Sequence, residues 1–103
     1  MRENAFQASL IREVKERFPG AVVLKNDPNY LQGFPDLLIL YKTKWAALEC
    51  KAGWFSPRQP NQEYYVEILD ELSYAAFICP ENKEAILDEL QQTFRSRRKA
   101  RVS

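Results

Sequence analysis

The chain has 103 residues, 46% apolar and 28% charged, which supports one globular domain around one core and excludes two. Its net charge of +1 is uneven: residues 95–101, "RSRRKAR", hold five of the fifteen basic side chains, and residues 1–94 carry ten basic against fourteen acidic ones. Histidine is absent, which removes imidazole bases, His-bound metals and Ser-His triads, so any catalysis must run on carboxylates, lysine and a metal.

From Glu3 to Phe18, Phe6, Leu10, Ile11, Val14 and Phe18 fall at helical spacing, and Pro19-Gly20 stops the helix. "AVVLK" (21–25) is a short β-branched run, hence a strand, and "NDPNYLQG" is a loop. "DLLILY" and "WAALECKA" read as two more strands. The "KTK" between them is too short for a crossover, so the pair is expected to be an antiparallel hairpin. After the loop "GWFSPRQP" a helix is expected over 60–72, opened by Pro60, with Tyr65, Val66, Leu69 and Leu72 inward. "YAAFICP" (74–80) is a fourth strand, and 81–94 a last helix with Ile86, Leu87, Leu90 and Phe94 inward. The expected fold is mixed α/β, in the order α-β-β-β-α-β-α, with helices packed on a mixed sheet. Residues 1–94 form the domain and 95–103 a basic tail. No run reaches the roughly 18 apolar residues that span a bilayer. The N-terminal charges leave no signal-peptide segment, so the cytosol of a bacterium or of a virus-infected host is the expected location. Cys50 and Cys79 lie in apolar contexts and read as buried thiols, with no zinc site.

Five polar residues interrupt this pattern. Side chains of a strand alternate faces, so Glu49 and Lys51 share one, with Ala47 and Trp45 behind them. The small Ala47 and Ala52 would leave room beside them for a substrate or an ion. A hairpin brings the start of its first strand beside the end of its second, which sets Asp36 across from Glu49 and Lys51. Convergent carboxylates repel unless one takes up a proton or a cation neutralises both. Oxygen ligands without histidine suit a hard divalent cation such as Mg²⁺ or Mn²⁺. On the first helix, Leu10 and Val14 lie within about 20° of Glu3, and Phe6 and Ile11 within about 80°, so Glu3 heads the apolar stripe. Gln62 likewise heads the inner face of its helix, with Tyr65, Val66 and Leu69 at plus three, four and seven.

"PD" at 35–36, twelve intervening residues and "ECK" at 49–51 resemble the PD-(D/E)xK nuclease signature. With "REN-FQ" before them, "GFPDL" and "LECKAG" around them and "SPRQPNQ" after them, residues 2–90 resemble the stand-alone VRR-NUC (virus-type replication-repair nuclease) domain. The resemblance implies a restriction-endonuclease-like core and a Mg²⁺- or Mn²⁺-dependent DNA endonuclease. Asp36, Glu49, the Cys50 carbonyl and Glu3 would hold metal, Lys51 would act on the attacking water or the developing charge, and Gln62 or Gln59 would be the downstream glutamine. Ser73 stands where such domains usually carry glycine. Lys25, Arg58, Gln59, Arg95, Arg97, Arg98, Lys99 and Arg101 are the candidate contacts to nucleic acid. Small viral and bacterial members of the family resemble Holliday-junction resolvases and act as homodimers, which implies a branched DNA partner and a second copy of the chain. A flap, nicking or non-specific endonuclease, and a silent nucleic-acid-binding module of the same fold, are the alternatives.

Overall fold

The computed structural model describes residues 2–95, which run α1 (Glu3–Arg17), β1 (Val22–Lys25), β2 (Leu37–Tyr41), β3 (Lys44–Cys50), α2 (Pro60–Leu72), β4 (Ala75–Ile78) and α3 (Lys83–Arg95). The fold is mixed α/β, as expected. Its four strands lie in the order β1-β2-β3-β4, with β1, β2 and β3 antiparallel and β4 parallel to β3. The hairpin reverses between Tyr41 and Lys44, with Lys42 in the left-handed region at φ 57°. The parallel step from β3 to β4 needs a crossover, and α2 supplies it.

Alternation along the strands sorts the core into two layers. Leu37, Ile39, Ala46, Leu48, Cys50 and Ile78 pack against Phe6, Leu10 and Val14 of α1 and Ile86, Leu87, Leu90 and Phe94 of α3. On the opposite face, Leu38, Trp45, Ala47 and Ala75 meet Tyr65, Val66 and Leu69 of α2. Each Leu, Ile or Phe fully buried in this way contributes about 1.5–3 kcal/mol. Polar ties join α1 to α3: Arg17 reaches Asp88 and Gln91, and Lys83 Nζ lies 2.8 Å from Glu13.

Some boundaries and directions differ from the sequence reading. Arg95 is the last residue of α3 rather than the start of the tail, because Phe94 is still drawn into the core. Leu72 is 73% exposed rather than inward, since α2 stops directly after it, where the Ser73 hydroxyl donates to the Trp45 carbonyl. Ala47 opens no space; Leu69 fills it, and the small side chain lets α2 approach the sheet. Both cysteines are buried and unbridged. Among the described residues no helix is long and apolar enough to cross a membrane.

Candidate active site

Glu49, Lys51 and Gln7 are the buried polar side chains among the described residues, and all three lie at the open end of the hairpin or directly beneath it. Register explains the first two. Leu37 pairs with Leu48, so Asp36 enters β2 opposite Glu49. Instead of continuing the ladder, the two residues bond through side chains. The Asp36 N–H donates to Glu49 Oε1 at 3.2 Å, and the Cys50 N–H donates to Asp36 Oδ2 at 2.9 Å. β4 holds the other edge of β3, where the Lys51 N–H donates to the Ile78 carbonyl at 2.8 Å.

Gln62 closes the cluster from α2. Its Nε2 donates to Glu49 Oε2 at 3.0 Å, and its Oε1 accepts from Lys51 Nζ at 2.7 Å. The same Oε1 accepts from the Gln59 N–H at 3.0 Å, so one amide both caps the helix and links acid to base. Gln62 is therefore the glutamine in contact with Glu49 and Lys51. Gln59 is exposed at the N-cap; its side chain accepts from the Gln62 N–H in the reciprocal capping box, and it makes no contact with Glu49 or Lys51 among the hydrogen bonds of the cluster.

The electrostatics follow from burial. Glu49 is 3% exposed, and desolvation together with the Asp36 charge pushes its carboxyl up to about 8, against the pull of Lys51 at 4.0 Å. Asp36 is also raised, chiefly by burial, although the Cys50 N–H and the Lys51 charge oppose the shift. The Glu49 carboxyl accepts from the Asp36 N–H, so the two carboxyls sit side by side. Near neutral pH this pair holds a shared proton or needs a cation. The donor set fits a hard divalent ion: two desolvated carboxylates, with no sulfur or imidazole ligand called for. The Cys50 carbonyl belongs with it, because the N–H and C=O of one strand residue point to the same side, and here that side is Asp36.

Glu3 stands apart. It is exposed at the start of α1 and reaches Glu49 and Cys50 only through the field of its charge. Among the described residues no three His, Cys, Asp or Glu side chains form a metal-holding group. Lys25 is exposed, and its charge is felt at Asp36. Arg58 is exposed too, its guanidinium 4.0 Å above the Phe77 ring. Arg95 lies at the far end of α3, and Arg97, Arg98, Lys99 and Arg101 are outside the described residues.

Gln7, the last residue of the "REN-FQ" segment, is not among the candidate site residues read from the sequence, yet it is 9% exposed and hydrogen-bonds the Cys50 thiol beneath the carboxylate pair. A signal was available: it follows Glu3 by one helical turn, a polar residue on a stripe that is otherwise apolar. Burial and the neighbouring carboxylates raise the Cys50 thiol, which keeps it protonated and structural. No family model, curated protein or solved structure matches the chain.

Proposed function

We propose that this chain is a metal-dependent DNA endonuclease with a restriction-endonuclease-like core, hydrolysing phosphodiester bonds at the open end of the β2–β3 hairpin. The observation that carries this reading is Gln62 bridging Glu49 and Lys51 beside Asp36, a carboxylate pair and a buried ammonium joined in one hydrogen-bonded cluster. Asp36, Glu49 and the Cys50 carbonyl would hold Mg²⁺ or Mn²⁺, which when bound would neutralise the pair and polarise the scissile phosphate. Lys51, fixed by Gln62, would orient the attacking water or stabilise charge developing on phosphorus-bound oxygen. Water adds to phosphorus and one P–O ester bond breaks, leaving a phosphate monoester and a hydroxyl. Lys25 and Arg58 would contact the DNA backbone, and such binding is salt-sensitive. A domain this small has little surface for gripping branched DNA alone, so the substrate assigned is a four-way junction cut by a homodimer with two twofold-related sites.

Labelled four-way junction, flap and linear duplex incubated with Mg²⁺ test the reading. Paired symmetric nicks in the junction are expected, with a loss of at least about 100-fold in Asp36→Asn and Lys51→Ala, the scale on which electrostatic stabilisers of a transition state act. Cutting that survives both substitutions overturns the site. Tight junction binding without cutting makes the chain a silent binding module.

A further inference from the structure

Half of the large apolar side chains exposed among the described residues are aromatic, and two of them, Trp54 and Phe55, are consecutive in the segment that directly follows Lys51. Single exposed apolar residues are ordinary, but grouped ones around a polar cluster are not. Trp54 and Phe55 are 55% and 94% exposed on a turn built to hold them out. The Gly53 N–H donates to Ser56 Oγ at 3.0 Å, and the Ser56 N–H returns to the Gly53 carbonyl at 3.1 Å. The Glu81 carboxylate receives the Trp54 N–H and anchors the turn to the start of the α3 segment.

Beside this turn is a shallow hollow lined by Lys51, Trp54, Ser56, Arg58 and Phe77. Phe77 pairs with Glu49 across β3 and β4, so the hollow adjoins the carboxylate cluster. Its walls offer an indole and the Arg58 guanidinium stacked on the Phe77 ring, and the Lys51 ammonium completes it. Across α2, the loop carrying Tyr30 is pressed onto the helix start, where a Cβ on Gly33 would come within 2.6 Å of the Asn61 side chain.

We infer that the Trp54–Phe55 turn and the Arg58–Phe77 stack seat an unpaired nucleobase of single-stranded DNA, with Lys51 and Arg58 facing its phosphates. Aromatic faces bind bases of any sequence by stacking, and the cations supply the charge complementarity that an oily protein-docking face lacks. The inference deepens the nuclease reading, because a strand seated here leads directly to Glu49. The cut then falls next to nucleotides left unpaired at the branch point of the junction.

The test uses the full chain carrying Asp36→Asn, in EDTA, so that binding is read without cutting. Three probes are compared by fluorescence anisotropy: an oligo-dT of roughly 15 nucleotides, its blunt duplex, and an abasic strand of equal length. The oligo-dT is expected to bind tightest and to quench tryptophan fluorescence. Trp54→Ala and Phe55→Ala should each weaken it about fivefold to 100-fold, Trp54→Phe should recover most of the loss, and melting temperatures should not move. Equal affinity for abasic strand and oligo-dT, or affinity unchanged in both alanine variants, overturns the inference even if the parent chain cuts DNA. Ring-dependent oligo-dT binding by a chain that cuts nothing with Mg²⁺ upholds the seat and removes the nuclease reading.

Discussion

The two ends of the β2–β3 hairpin use similar residues for opposite purposes. At the closed end Tyr41 turns inward with Phe18 and Phe94, their ring centroids 5.2–5.6 Å apart. At the open end Trp54 and Phe55 stand in solvent, while Glu49 and Lys51 are withdrawn from it and Asp36 is half-buried beside them. Burial of rings gains apolar transfer energy and packing, whereas burial of Glu49 beside Asp36 opposes folding unless a proton or a cation compensates. One end of the hairpin therefore stabilises the fold, and the other stores a demand that chemistry can use.

That contrast can be broken first at the closed end. Phe18→Ala should cost about 3–5 kcal/mol in denaturant unfolding, since it empties the centre of the ring cluster. Residual folded protein should keep the pH behaviour of the open end.

A second effect, of comparable size, tests the stored demand. Without divalent metal, the Glu49 carboxyl titrates near 8 in the native state and near 4.5 when unfolded. Below pH 4.5 both states hold the proton. Between 4.5 and about 8 only the native state does, so stability falls as pH rises, and above about 8 the loss is complete. Melting curves in EDTA should show this decline, Glu49→Gln should flatten it, and Mg²⁺ should reduce it at pH 8. A profile that rises through this window contradicts the assignment.

The smallest effects separate the two glutamines. Gln62→Ala removes the partner of both Glu49 and Lys51 and should lower cleavage about tenfold or more, with a stability change of about 1 kcal/mol. Gln59→Ala removes the N-cap side chain that accepts from the Gln62 N–H but neither partner of the amide bridge, and should leave cleavage within about twofold at a stability cost of about 0.5–1 kcal/mol. Equal losses in both variants would mean that the amide bridge does not matter.

Local pattern carried most of the architecture. The stripes of α1 and α3 predicted Phe6, Leu10, Val14, Ile86, Leu87, Leu90 and Phe94 as core, because a helix with one apolar face has one way to bury it. The short "KTK" connection dictated a hairpin, and a hairpin brings Asp36 across from the Glu49–Lys51 region; the two-residue turn at 42–43 sets the register that puts it opposite Glu49. What the sequence by itself determined, then, was the class of fold and the meeting of Asp36, Glu49 and Lys51. Tertiary packing decided the rest: which glutamine reaches Lys51, that Gln7 lies beneath the pair, that Glu3 stays outside it, that Leu72 is left in water, and that Trp54 and Phe55 face solvent. Those outcomes depend on where α2 lands on the sheet and where each element ends. Both are set by contacts between residues distant in the chain, which local periodicity does not encode.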